Sequence, residues 1–574
     1  MNAYVIDLGA LKKAYENSDL TNFLVELPYG ETEPVAITLA EWHNAKQINL
    51  VGLFRSLNWN ELNDQADRRW RQIFSAALSH LHIEPKVALE LCYQILDIKT
   101  DATQHDVFSG FEGWLSQSET NAEITTELIL GSKRDSVLLW TALLSWGKKD
   151  ADKAISAAIK ASSDKRLHIR SQSIRALGLI IGGSEDVIAD KDNTLVEIAA
   201  NEIVEDHLSA IDAILCICDD GSNSSQKLID CLDSVAKNPL PETRNQLIAG
   251  LLFHPKAFSE TLRDTVFVLM ETVTSEYPAT LDHIDLILYK LDTDQERNRI
   301  FNIMSAIAHQ KNAAPKLDIF DSTSYKLQSG DNSVLGWFVI NWLLDGQFST
   351  CNAVNSFFPP LDQSIYNFDL SEFNLSDSEI YYLTRKVFVY LMFDHGPAVS
   401  LLAACLVAIS SRAKKDLEIE IGNFWLRNFP GDIKLFKAHI KTYPSRGMKA
   451  SIKRMGKMID EYSAPLHNLP RNPAMRPSAL ERRAQAEIDH QRQKEISKHA
   501  DKKSILGSIF HKSILLYGRS SIVYVHRGKG EDPIRQEMQL QTFETSTAIP
   551  RMDVLYPARL NYMLHKFRRE KRPK

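Results

Sequence analysis

The chain has 574 residues, of which 44% are hydrophobic and 24% are charged. This composition is ordinary for a folded protein and excludes a chain that is disordered throughout, while the length predicts several domains or a repeat array. The formal net charge of −6 conceals two opposed segments: residues 441–574 contain 28 Lys and Arg against 13 Asp and Glu, whereas residues 1–440 contain 39 against 60. This split predicts that the basic end binds a polyanion, or the acidic body of the same chain.

The six cysteines are spread thinly along apolar, helix-like segments, which predicts reduced, buried thiols in a cytoplasmic protein. Only Cys216 and Cys218 lie close together, and without further ligands at a zinc spacing they predict no metal site. The N-terminal residues lack the pattern of a signal peptide. The longest apolar stretches, 387–393 and 397–409, are shorter than the roughly 20 residues that span a bilayer, so no membrane span is predicted.

The first two predicted domains are helical. Residues 1–149 have apolar side chains at three- and four-residue spacings and predict an N-terminal helical domain. Within residues 150–332, two interleaved series of apolar positions recur at spacings of 36 or 37 residues: Ile174, Ile211, Ile248 and Ile284, and Ile229, Val266 and Ile303. Each period therefore holds two helices, and such pairs bury their apolar faces only by stacking on their neighbours.

This period of about 37 residues, with two helices in each repeat, resembles the HEAT and armadillo repeat proteins between about residues 150 and 310. The resemblance implies stacked helix pairs, an α-solenoid, and implies no catalytic activity. Residues 333–445 predict a further helical domain, which begins with a helix at 334–344 that is apolar on all sides.

Residues 446–574 predict a basic C-terminal module with a different build. A capping box at Ser478 and Glu481 begins a polar helix that runs to about residue 503 and is expected to project. Segments 520–526 and 537–543 predict the strands of a β-hairpin with a basic turn between them. The predicted fold class is thus mainly α: an α-solenoid of HEAT-like helix pairs followed by a small basic α+β module.

The sequence contains no nucleotide-binding glycine loop and no familiar hydrolase or zinc-protease motif, so a non-enzymatic protein without cofactors is predicted. Two weak catalytic candidates stay open. Glu531, Asp532 and Glu537 around the predicted hairpin give a metal-dependent nuclease as an alternative function, because closely placed carboxylates bind divalent cations. His395, which follows Asp394 between two apolar helices, is a candidate acid–base residue.

The basic module predicts contact with nucleic acid, because Lys and Arg neutralise phosphates without reading sequence. The predicted contacts are Lys449, Lys453, Arg454, Lys457, Arg519, Arg527, Lys529, Arg568 and Arg569. A structural subunit whose basic arm docks on an acidic protein surface is the alternative, and the acidic helical body is expected to bind other protein subunits. An acidic helical body with a basic end resembles the large accessory proteins of bacterial anti-phage operons, which implies a scaffold in an antiviral defence complex whose catalysis belongs to a partner.

Overall fold

The computed structural model describes residues 7–28, 30–97, 104–118, 120–200, 203–221, 225–310, 320–330, 332–358, 364–439, 446–470, 478–503, 520–525, 534–539 and 550–573. These residues are mainly α-helical. They divide into two compact units, Met1–Lys326 and Leu327–Lys574. Each unit has its own helical core.

The first unit contains helices α1 to α18 and the start of α19. Their bounds are α1 Leu8–Glu16, α2 Leu20–Glu26, α3 Thr32–Asn44, α4 Leu50–Ser56, α5 Asp64–Leu78, α6 Pro85–Leu96, α7 Gln104–Ser116, α8 Asn121–Gly131, α9 Leu139–Gly147, α10 Ala151–Ala161, α11 Leu167–Leu179, α12 Glu185–Ala199, α13 Val204–Asp220, α14 Gln226–Lys237, α15 Pro241–Phe253, α16 Glu260–Met270, α17 Pro278–Lys290, α18 Arg297–Ala308 and α19 Asp321–Ser329.

The helices begin where the sequence supplies caps. Asp150 accepts a hydrogen bond from the backbone N–H of Lys153 at the start of α10, and Ser259 does the same for Leu262 at the start of α16. Proline occupies the first position of α15 and α17, where its missing N–H costs no intrahelical hydrogen bond. Caps and N-terminal prolines therefore divide the apolar periodicity into short helices.

Helices of the first unit pack on the helix two places further along the chain. Each odd-numbered helix from α3 to α17 contacts the next odd-numbered one, and the even-numbered helices from α10 to α18 do likewise. All four residues of the first apolar series, Ile174, Ile211, Ile248 and Ile284, are fully buried. The unit is thus a helical repeat with two layers of helices.

Polar contacts recur with the same period. The Arg71 guanidinium reaches Asp106 across 35 residues, Arg170 reaches Asp206 across 36, and Arg299 reaches Asp264 across 35. His207 Nε2 and Thr243 Oγ1 lie 2.8 Å apart and are separated by 36 residues. The repeat that the sequence shows between about residues 150 and 310 therefore begins earlier in the structure, at least as early as α5.

The second unit begins at Leu327 in α19 and continues through a helical core to a C-terminal segment. Its elements are α20 Asn332–Asp345, α21 Phe348–Ala353, α22 Asp377–Tyr390, α23 His395–Ala408, α24 Lys414–Ile421, a π-helix Gly422–Leu426, α25 Ile433–Ala438, α26 Arg446–His467, α27 Ala479–Lys503, strands β1 Ser520–Val525 and β2 Ile534–Gln539, α28 Arg551–Leu555 and α29 Pro557–Arg569. Phe338 and Trp342 on α20 are fully buried, as the apolar sequence of this helix predicts.

The two strands pair antiparallel, with Ser520 opposite Gln539 and Val525 opposite Ile534. The second strand begins three residues before the predicted segment 537–543. A two-stranded pair alone is marginally stable in water, and the neighbouring basic helices do not form a separate α+β domain with it: α26 packs on α24 and α25, and α29 packs on α22. The predicted α+β module is therefore not supported, because two of its basic helices belong to the helical core.

Gly178 permits the close approach of α11 and α13, and we expect Gly178→Ala to destabilise the first unit. A Cβ at this position would lie 2.5 Å from Ala213 Cα, and overpacking of this kind costs about 1–3 kcal/mol. Gly131→Ala in α8 is the matched control, because its Cβ would meet no atom within 4 Å. Urea unfolding followed by circular dichroism should show a lower midpoint for the first variant alone. Equal midpoints would contradict the packing assigned to Gly178.

Candidate functional site

Helix α26 carries four of the predicted phosphate contacts. One side of the helix faces the core and buries Met448, Ile452, Met455 and Ile459. On its outer side Lys449, Lys453 and Lys457 are exposed, and their four-residue spacing places them along one face. We call these three residues the lysine row. Lys457 Nζ also lies 3.5 Å from Glu461 Oε1. Both side chains are exposed, so this ion pair contributes little to stability.

Arg454, the fourth predicted contact on α26, is bound within the fold. Its Nε and Nη2 each donate to a carboxylate oxygen of Glu418 at 2.6 Å, and the Ser451 hydroxyl donates to the same carboxylate at 2.5 Å. Burial alone would raise the pKa of Glu418, but these hydrogen bonds hold it below its ordinary value. Arg454 therefore compensates a buried carboxylate, a role that its position in a basic segment did not predict.

The C-terminal segment packs against the helical core of its own unit. Phe567 on α29 is buried, with its ring centroid 6.1 Å from that of Phe388 and 5.5 Å from that of Phe424. The backbone N–H of Met552 donates to Asn428 Oδ1 at 2.9 Å. The C-terminal segment thus packs on an apolar face of α22 and the π-helix through Phe567.

Two adjacent cations on α22 bind the end of this segment. Lys386 is fully buried, and its Nζ donates to the carbonyl oxygens of Phe567, Arg568 and Glu570 at 3.1, 2.9 and 3.0 Å. Burial lowers the pKa of this ammonium group. A cation at the end of α29 also matches the negative end of the helix dipole.

Arg385 and Arg572 add ion pairs to this docking. Arg385 bridges two carboxylates, donating to Glu420 at 2.6 Å and to Glu570 at 2.7 Å. Arg572 donates to Glu379 at 2.7 Å. Within the second unit, part of the basic tail therefore docks on acidic side chains of the same chain.

Arg568 and Arg569, the two predicted contacts on α29, are exposed. The guanidinium carbon of Arg568 lies 5.8 Å from the ring centroid of Phe348, within the range of a cation–π contact. The structure therefore places these two arginines at the surface of the docked segment, on a different helix from the lysine row.

A cavity of about 460 Å³ lies between the π-helix, α26 and the C-terminal segment. Arg427, Arg551 and Arg559 line it, together with Glu420 and the rings of Tyr462 and Tyr556. The Arg427 guanidinium carbon lies 4.6 Å from the ring centroid of Tyr462. Because Glu420 is bound to Arg385, the cavity presents an excess of positive charge.

His395 is paired with a carboxylate other than that of Asp394, its neighbour in the sequence. Its Nδ1 lies 2.7 Å from Asp432 Oδ2, which also accepts a hydrogen bond from Trp425 Nε1 at 2.9 Å. The imidazole packs edge-on against Phe429, with 4.5 Å between the centroids. The carboxylate beside His395 is therefore Asp432, 37 residues further along, and the enclosed ring has the setting of a packing residue.

All but one of the remaining predicted site residues lie outside the described part of the chain. Arg519, Arg527, Lys529, Glu531 and Asp532 lie outside the described residues, and Glu537 is opposite Ile522 in the strand pair. In the described part of the chain, no group of three or more His, Cys, Asp or Glu side chains has the arrangement of a metal site. Burial raises the pKa of Cys216 and Cys218 to about 11, which opposes thiolate ligation.

The sequence did not predict that the following cations have buried partners or lie close together in the second unit. Arg385 and Lys386 interrupt an otherwise apolar helical stretch, and a basic pair in such a position is a signal for buried partners. Arg427 lies 124 residues before Arg551 and further still before Arg559, so no local pattern joined the three. In the ranges that the structure describes, no helix combines the length and apolar character that crossing a membrane requires.

Arg454→Met is expected to lower the free energy of unfolding by about 2 kcal/mol near neutral pH, because the buried Glu418 carboxylate loses its guanidinium donors. The fold depresses the pKa of Glu418 below 4.5. Its stabilisation is therefore present above that pH and is lost as the pH falls through the depressed pKa, so the deficit of the variant should shrink in acid. Urea unfolding at neutral pH and near pH 4 measures the effect. Lys453→Met, at the preceding residue of the helix, is the control, and an equal deficit there would contradict the assignment.

Lys386→Met is expected to loosen the C-terminal segment, because three carbonyl oxygens near the end of α29 lose their donor. We expect faster hydrogen exchange at the amides of α29 and a loss of about 2 kcal/mol in stability. Lys415→Met, at an exposed position of α24, removes the same charge without removing a buried donor. Unchanged protection of α29 in Lys386→Met would show that Phe567 and the ion pairs hold the segment unaided.

No protein-family profile matches this chain, and no curated protein matches it. Among solved structures, the chain is similar at 11% identity to an engineered protein determined by the Northeast Structural Genomics Consortium, over 77% of this chain and 98% of that one, with a TM-score of 0.20. It is also similar to the crystal structure of SYS-1 at 11% identity, over 83% of this chain and 81% of the other, with a TM-score of 0.16. At such TM-scores, neither structure supports an argument about fold or function.

Proposed function

We propose that the protein is a non-enzymatic scaffold with α-solenoid architecture, whose second unit contacts nucleic acid through exposed cations. The observation that carries this proposal is the lysine row on α26. Arg385, Arg454 and Arg572 are bound to carboxylates of the same unit, whereas Lys449 and Lys453 are exposed and the weak pair of Lys457 with Glu461 leaves its ammonium group largely in solvent.

The geometry of the row suits a phosphate backbone. Lys449 and Lys457 are separated by eight residues, so the three ammonium groups extend over about 12 Å of helix. Flexible lysines bind phosphates as point charges and need no defined base sequence. Helix α27 adds exposed cations at Arg482 and Arg483, and all its described side chains are exposed, as expected for a helix with a solvated surface.

The helical body supports the scaffold part of the proposal. Stacked helix pairs offer extended surfaces to protein partners, and residues 1–440 have an excess of acidic side chains. We place such a scaffold in the cytoplasm, beside a catalytic partner of the kind found in anti-phage defence complexes. This placement comes from the resemblance in build and is part of the proposal.

A second candidate function is supported by the docked tail. The pairs Arg385–Glu570 and Arg572–Glu379 join the C-terminal segment to the helices of the second unit, so cations and carboxylates of this chain already bind each other. By the same chemistry, the lysine row would dock on an acidic protein surface. Such a subunit would hold a partner without contacting nucleic acid.

The test of the main proposal replaces Lys449, Lys453 and Lys457 by Glu in the full chain. We expect labelled single-stranded DNA or RNA to bind the wild type with a steep dependence on salt, and the variant to lose about one unit of log–log salt slope for each phosphate contact removed. The control replaces the scattered, exposed Lys12, Lys86 and Lys160 by Glu, with the same change in net charge.

Two outcomes would contradict nucleic-acid binding through the row. In the first, both triple variants lose affinity equally, which would assign binding to net charge alone. In the second, the wild type binds neither nucleic acid at low salt. If an acidic protein then binds the wild type but not the lysine-row variant, the second candidate function, docking on an acidic protein surface, would replace nucleic-acid binding.

A further inference from the structure

Three arginines line the cavity beside the π-helix. Among the described residues, no ion pair involves Arg427, Arg551 or Arg559, whereas Glu420, which also lines the cavity, is held by Arg385 at 2.6 Å. Asp553, on the same short helix as Arg551, is exposed and does not line the cavity. The three arginines are exposed and line one cavity, so their guanidinium groups can donate hydrogen bonds to an anion bound there.

The walls of the cavity are aromatic as well as cationic. Phe424 and Phe567 lie in its buried wall, while Tyr556 is 61% exposed and offers an open ring. Tyr462 already carries the Arg427 guanidinium on its face. A ligand for this site therefore combines a strong anion with a flat ring, because neither part alone would use both kinds of wall.

The π-helix forms one wall of the cavity, with Phe424 inside it and Arg427 directly after it. Such π-helical turns are rare and are found frequently at functional sites. The opposite wall comes from α28 and α29, which the contacts of Lys386 and Phe567 fix in place. The cavity is thus assembled from segments more than a hundred residues apart.

We propose that this cavity binds the phosphate and base of a nucleotide. Arg551 and Arg559 would hold the phosphate by charge-assisted hydrogen bonds, and Tyr556 would stack on the base. The cavity volume of about 460 Å³ lies within the range of small-molecule sites. The inference is independent of the lysine row, none of whose members lines the cavity.

Binding of adenosine 5′-monophosphate, adenosine and inorganic phosphate to the full chain tests the inference by isothermal titration calorimetry. We expect the nucleotide to bind most tightly, and Arg551→Ala with Arg559→Ala to weaken it by roughly tenfold or more. Tyr556→Ser should weaken the nucleotide by roughly fivefold and leave inorganic phosphate unchanged. Arg482→Ala with Arg483→Ala is the matched control, since these arginines are exposed on α27 and are expected to have no effect.

Short oligonucleotides identify the source of the nucleotide. Tighter binding of a 5′-phosphorylated strand than of its 5′-hydroxyl form would identify a strand end, and tighter binding of the free nucleotide would identify a small molecule. Both results support the site. The lysine-row variant should bind the nucleotide as the wild type does, because none of the three lysines lines the cavity. The inference fails if the nucleotide binds no better than adenosine and phosphate, or if the cavity and control variants weaken it equally at unchanged thermal stability.

Discussion

The fold of the first unit depends on one constraint: a helix completes its core by packing on a helix about one period away. Ile174 and Ile211 are fully buried because α11 and α13 pack together, and Gly178 lets their backbones meet. Pairs such as Arg170 with Asp206 cross the same interval and fix which turn of one helix faces the next. Apolar stacking supplies the stability, while partly buried ion pairs select the register, because a shifted register would leave their charges unpaired.

The C-terminal segment covers an apolar face of the helical core in the second unit. Phe567 covers part of that face by packing against Phe388 and Phe424. Lys386 then donates to the carbonyl oxygens near the end of α29, whose burial without a donor would be costly. A segment that the sequence assigns to a basic module thereby belongs to the core of the unit.

The sequence predicted the helical class and the period because both depend on the local spacing of apolar residues. The structure buries apolar residues at that same spacing, such as Ile174 and Ile211. It did not predict the partners of Arg385 or Arg454, since a basic side chain looks the same in sequence whether it faces solvent or a buried carboxylate. Glu570 lies 185 residues from Arg385, a separation that no periodicity reveals. The position of β2 was missed for a related reason: residues 534–539 alternate weakly between apolar and polar side chains, so their pattern gave no clear start.

The positive charge of the basic end therefore has different physical consequences at different positions. At Arg454 and Arg572 it is neutralised by carboxylates of the same unit and acts through stability. In the lysine row it is solvated, so any ligand held there is bound by a screened interaction that weakens with salt. In the cavity the exposed arginines lie beside aromatic rings, so the shape of the walls would select the ligand together with charge. Of the two proposed sites, only the cavity can distinguish one small anion from another, because the lysine row recognises little besides charge.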